Sequence, residues 1–203
     1  MKQNSFISVI LTVACSLMFV ACSDWTEPTP VDYNPIFPDE QAPSLHEKYE
    51  QSLKEYKNRK HTLMLICFAN NPGTTLGEQD FLRSLPDSVD FVVLTNADNL
   101  SVYDKEDISK LKRTGTKFLY YKNLSEFYDQ CEETENLEEF KTKMNAALKN
   151  GESDEFDGYY VQFGRAGSMM HVDFFNEVTT AIREKLAAIG GPKANNGKLV
   201  FFD

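Results

Sequence analysis

No strand-like segment of this 203-residue chain runs into a glycine-rich loop, so a site that cradles phosphates or a dinucleotide has no support. Basic residues are outnumbered, 21 against 31 acidic ones, for a net charge of −10. An acidic surface of that kind argues against nucleic acid and polyanionic ligands and fits a neutral ligand. There are only three histidines, His46, His61 and His171. None stands beside a serine or cysteine in a recognisable triad, although triads are assembled in space rather than along the chain. The four cysteines, Cys15, Cys22, Cys67 and Cys131, show no metal-ligand spacing. Neither a metal nor a cofactor is therefore expected. The single tryptophan, Trp25, lies in a polar, proline-rich stretch and marks no binding site.

Long apolar runs are also missing, except at the front. There, Lys2 is followed by an apolar segment from Phe6 to Ala21. That is the charged n-region and short h-region of a secretory signal rather than a membrane span. The segment closes in LMFVACS, residues 17–23, which resembles a bacterial lipobox with Phe19 in a place where leucine is usual. The resemblance implies a lipid on Cys22, membrane attachment through that anchor alone, and an outer-membrane or cell-surface location. The other reading is an ordinary signal peptide cut near Ala21. The stretch 23–43 holds five prolines and five acidic residues without helical or strand periodicity, as expected of a tether. The expected division is signal peptide 1–21, tether 22–43 and folded part 44–203.

Within 44–203, short apolar segments alternate with amphipathic ones. Helix periodicity places Leu45, Tyr49, Leu53 and Tyr56 on one face after a capping-box spacing at Ser44 and Glu47. Strands are expected at 62–70, 88–96, 116–123, 155–164 and in the closing KLVFFD. A short helix is expected around 77–85, with longer ones at 104–115, 136–150 and about 175–189. Cys67 reads as core. Apolar strands separated by amphipathic helices imply α/β architecture, with parallel βαβ units covered on both faces. A partial (β/α)8 TIM-type barrel of about five strands fits best, because a complete barrel takes about 250 residues.

Four segments in order carry a family resemblance: HEKYEQSLKEYKNRKHTLMLICFANNPG, LPDSVDFVVLTNA, KLKRTGTKFLYYKNL and FDGYYVQFG. Together they resemble the amino-terminal half of bacterial glycoside hydrolase family 18 lipoproteins, which include endo-β-N-acetylglucosaminidases and chitinase-like proteins. The resemblance implies a fourth strand bearing D-G-x-D-x-D-x-E, with alternate acids pointing into the barrel mouth. It also implies that the Glu is the general acid, that the Asp before it orients the substrate's acetamide, and that this acetamide is the nucleophile.

Here Asp157 and Gly158 match the start of that pattern, but Tyr160, Gln162 and Gly164 occupy the three inward places. Starting instead at Asp154 leaves Tyr159 and Val161 in the last two places and turns apolar positions inward. The expected function is therefore a non-catalytic, surface-anchored protein that binds a glycan containing N-acetylglucosamine or mannose, beside carbohydrate-degrading partner proteins. Tyr160 and Gln162 are the ligand-binding candidates, the first as an apolar platform and the second as an amide donor and acceptor. Asn70, Asn71, Asn96 and Tyr121 at the strand ends add possible hydrogen bonds. The alternatives are a glycosidase whose acid comes from elsewhere, such as the acidic stretch 129–139, or a truncated product without function.

Overall fold

The computed structural model describes residues 43–70, 77–164 and 171–203. The expected signal peptide, Cys22, Asn71 and all of the tether but its last residue lie outside them. The elements are α1 Pro43–Asn58, β1 Leu65–Phe68, β2 Phe91–Leu94, α2 Val102–Arg113, β3 Lys117–Asn123, α3 Ser125–Cys131, α4 Leu137–Leu148, β4 Gly158–Gln162, α5 Val172–Ile189 and β5 Leu199–Phe202. Local chemistry sets several boundaries. Ser101 and Asp104 form a reciprocal capping box that starts α2, with bonds of 3.0 and 2.8 Å. Gly115, with a φ of +88°, follows its end. Asn136 caps α4 by accepting from the Glu139 amide at 3.1 Å.

All five strands are parallel, and their spatial order is the chain order, β1-β2-β3-β4-β5. Crossovers of one hand that always step the same way put every helix on the same side of the sheet. The core accordingly lies on that side, where Val92, Leu94, Phe118, Tyr120, Tyr159, Val161 and Phe163 meet Ile108, Phe140, Met144, Val178 and Ile182. The expected parallel βαβ units are present, with the helices on one side and the other face of the sheet turned inward. Val93 and Leu119 alternate with these residues, are also fully buried, and stand outside that cluster on the opposite face.

The inner face curls. Phe91 on β2 and Phe201 on β5 are three strands apart, about 14 Å in a flat sheet, yet their ring centroids lie 5.4 Å from each other. A singly wound, curled parallel sheet with an outer layer of helices is a partial barrel of the TIM type.

Three expectations need correction. The helix expected around 77–85 is a pair of 3₁₀ turns, Glu78–Asp80 and Leu82–Ser84, with Leu82 buried between extended residues. The apolar stripe of α1 is not a buried face: Leu45, Tyr49 and Tyr56 are exposed, and the helix begins at Pro43, so Ser44 lies inside its first turn. Cys67 is exposed rather than core, because it occupies the inner face of an edge strand. Cys131 is buried in the helix layer, and both thiols are free. No helix among the described residues is long and apolar enough to cross a membrane.

Candidate functional site

Strand β4 enters the sheet through Asp157 and Gly158, and both are held there by the fold. The Asp157 carboxylate accepts the Phe118 amide at 2.9 Å and faces the Lys112 ammonium at 3.4 Å. Its own backbone bridges both neighbouring strands, donating to Phe118 O at 2.7 Å and accepting from Leu199 N at 2.9 Å. A Cβ on Gly158 would lie 2.7 Å from the backbone carbon and nitrogen of Leu199, and nearer still to its oxygen. Only glycine lets β5 approach so closely. Lys198, one residue before β5, donates to the carbonyls of Gly151, Glu152, Ser153 and Phe156 at 2.9–3.3 Å and fastens the same corner.

Six residues along, the backbone is still bonded but the side-chain positions are less confined. Tyr159, Val161 and Phe163 are buried against the helices, which turns Tyr160, Gln162 and Gly164 to the inner face. Among the described residues, nothing lies within 4 Å of the Cβ that Gly164 lacks. Its backbone is tied to Ser125 at the start of α3, whose hydroxyl donates to Gly164 O at 2.9 Å. Register places Tyr121 beside Tyr160, and Asn123 beside Gln162. The Tyr121 hydroxyl donates to Gln162 Oε1 at 2.7 Å.

The β5 side contributes Phe201, stacked on Tyr160 with centroids 6.4 Å apart, and Asp203. That aspartate is held in the ladder by Phe163 N, which donates to its carbonyl at 2.8 Å, and by its own amide, which donates to Val161 O at 3.1 Å. Its carboxylate accepts from the Tyr160 hydroxyl at 3.4 Å. Burial first, and then the Asp203 charge, raises the Tyr160 phenol above its ordinary value. Burial is also the main cause that raises Tyr121. Both therefore stay protonated and act as hydroxyl donors near neutral pH.

These rings stand in a row. Tyr121, Tyr160 and Phe201 lie side by side across β3, β4 and β5, so Tyr160 shows its faces to its neighbours. The apolar platform expected of Tyr160 is covered, and its hydroxyl tip is what the inner face presents. Tyr121, Tyr160 and Gln162 are thus brought together, with Asp203 beside them. Sequence reasoning missed Asp203, although strict alternation from Leu199 through Phe201 already aims it inward.

Asn70 and Asn96 do not join this group. The Asn70 amide is buried and committed to the backbone of Asn96, accepting from its N at 3.0 Å and donating to its O at 3.0 Å. The Asn96 side chain accepts from Asn99. They brace the β1 and β2 ends, as asparagines at turns commonly do. The acidic stretch 129–139 lies on the helix layer, where Glu135 pairs with His171, Glu138 with Lys141 and Glu139 with Lys143. A cavity of about 370 Å³ opens between α5 and the outer face of β5, against Leu186, Val200 and Phe202. It belongs to the opposite face of the sheet, and Arg183 and Lys193 are the charged residues that line it.

Comparison with known proteins follows the same lines. The model of glycoside hydrolase family 18, BT1044-like, matches residues 26–183. An endo-β-N-acetylglucosaminidase from Cordyceps militaris is similar in structure, with a TM-score of 0.54 at 17% identity, over 77% of this chain and 54% of its own. A substituted selenomethionine form of BT1044 gives a TM-score of 0.55 at 20% identity, over 82% and 58%. The chain therefore spans little more than half the length of these two proteins. No curated protein matches the chain.

Proposed function

This chain belongs to glycoside hydrolase family 18 as a BT1044-like member, and from that premise we propose a non-catalytic, glycan-binding lipoprotein of carbohydrate utilisation. One observation carries the reading. The family pattern survives in this strand where it holds the fold, at Asp157 and Gly158, and has lost its acids at Tyr160, Gln162 and Gly164. Without a carboxyl at Gly164 there is no proton for a leaving oxygen. With Gln162 in the preceding inward place, no negative charge steadies a developing cation.

What remains on the inner face is a set of neutral hydroxyl and amide groups from Tyr121, Tyr160 and Gln162, suited to sugar hydroxyls. The ligand is a glycan containing N-acetylglucosamine or mannose, presented by or shared with carbohydrate-degrading partners. Signal peptide 1–21, lipidated Cys22 and tether 22–43 would hold the 44–203 part at the outer membrane or cell surface.

Calorimetry with chitotetraose and a mannose-rich oligosaccharide is expected to show weak binding, which Tyr160→Ala weakens about tenfold further. Binding indifferent to that substitution would move the site off β4. Labelled fatty acid is expected to enter the protein in its host and to be lost in Cys22→Ala. Label that persists in the variant rules out the anchor.

A further inference from the structure

Of the described strand positions that alternate onto the inner face, from Leu65 and Cys67 on β1 to Phe201 and Asp203 at β5, only Asp203 is acidic. Its N–H and its C=O are both bonded to the β4 segment, so its direction is set by the sheet and not by a loop. Its carboxylate is exposed, and its one hydrogen bond among the described residues, from Tyr160, is 3.4 Å long. That is well beyond the usual 2.5–3.0 Å of a hydroxyl bond, so nearly all of its acceptor capacity is open.

Next to it the polarity reverses. Tyr121 occupies Gln162 Oε1 and leaves the Gln162 amide hydrogens as open donors. A ligand seated between them meets a charged acceptor on one side and neutral donors on the other. Sugar hydroxyls answer both, since each can donate and accept. An anionic group answers only one, and the carboxylate repels it.

We infer that Asp203 is a specificity-determining residue of this site: it accepts hydroxyl hydrogens from a neutral pyranose and excludes glycans carrying carboxylate or sulfate. The inference rests on the glycan-binding reading above. It adds that recognition runs through hydrogen bonds to the tips of the aromatic row rather than through stacking on a ring face. Charge-assisted bonds are roughly twice as strong as neutral ones, so Asp203 outweighs any single neutral group here.

The test is calorimetry on the full chain with chitotetraose, α-mannotetraose and a hyaluronan tetrasaccharide, which carries N-acetylglucosamine and uronate together. The unaltered protein is expected to bind a neutral tetrasaccharide at least tenfold more tightly than the hyaluronan one. Asp203→Asn should cost the neutral ligand about tenfold and narrow that gap. Tyr160→Phe, which keeps the ring and removes its hydroxyl, should weaken binding nearly as much as Tyr160→Ala. Equal affinity for the hyaluronan tetrasaccharide, or an Asp203→Asn protein unchanged while Tyr160→Ala fails to bind, overturns the role of Asp203 and leaves glycan binding standing. Absence of binding by the unaltered protein, or indifference to both Tyr160→Ala and Asp203→Asn, overturns both. Thermal unfolding of each variant serves as the folding control, since Asp203 is exposed and its loss should leave the melting temperature unchanged.

Discussion

The two ends of strand β4 differ in what holds their residues in place. At its start, Asp157 is bonded to the backbone of β3 and to Lys112, and Gly158 lies against the backbone of β5. At its end, Gly164 has no described residue within 4 Å of where a side chain would start, and Gln162 is exposed. On the non-catalytic reading proposed above, a protein that needs its barrel but not the original chemistry keeps the first pair and is free to change the rest. The surviving half of a catalytic motif therefore reports architecture. It is no sign of residual activity.

The sharpest way to break that comparison is to put the same methyl group at both ends. In Gly158→Ala the added carbon meets backbone, which cannot rotate away, so β4 and β5 must separate. Overpacking of that kind costs about 3 kcal/mol. Gly164→Ala meets none of the described residues within 4 Å and should stay within about 0.5 kcal/mol of the unaltered protein. Urea titration of the two variants measures the difference. Equal stabilities would mean that Gly158 is not required by strand spacing, and the division of the motif into structural and chemical halves would fail.

Much of this division was legible in the sequence. Alternation of Tyr159, Val161 and Phe163 fixed the register, and register alone decided which positions face the mouth. Strand order and the partial barrel followed from apolar strands spaced by amphipathic helices. What escaped was whatever depends on partners distant in the chain. The hydroxyl-first presentation of Tyr160 comes from Phe201, 41 positions away in sequence, and Asn70 is used up by Asn96. The exposed stripe of α1 escaped for the opposite reason: its periodicity is a true helix signal but says nothing about what covers the face. The short helix α3 carries too few residues to show a period at all.

The base of the sheet also places charge in a structural role, with a smaller expected effect. His61, just before β1, points Nδ1 at Arg59 O (2.7 Å) and Nε2 at the Asp90 carboxylate (2.9 Å), while Asp90 also accepts the Met64 amide. Two acceptors require two ring protons, so the imidazolium suits this place. The Arg59 carbonyl first and Asp90 second raise the His61 pKa above its ordinary 6.5, against desolvation and, more weakly, the charge of Lys57. A group protonated more readily in the folded state stabilises it fully below the unfolded value, and this contribution is lost as pH climbs through the raised one. The melting temperature is therefore expected to fall from about pH 6.5 upward, and His61→Gln should flatten that slope. A slope of equal size in the variant would assign the pH dependence elsewhere.

The smallest expected effect is the most telling. Gly164→Glu returns a carboxyl to the place where the family resemblance puts the general acid, and no described residue lies within 4 Å of the Cβ it would add. A positioned general acid is worth about two to four orders of magnitude, so restored activity would be easy to see. None is expected. Gln162 can hydrogen-bond an acetamide but supplies no charge to the cation formed when that acetamide attacks, and Tyr160 fills a third place with a ring. Asp203 does not stand in for the general acid, because the β5 register sets it level with Gln162 and not with Gly164, and its carboxylate accepts from the Tyr160 hydroxyl. Both the unaltered protein and Gly164→Glu should release no reducing ends from chitooligosaccharides or N-glycans above background. Release by the unaltered protein that Asp203→Asn abolishes would show that the acid had moved one strand over, and the chain would have to be read as an active glycosidase.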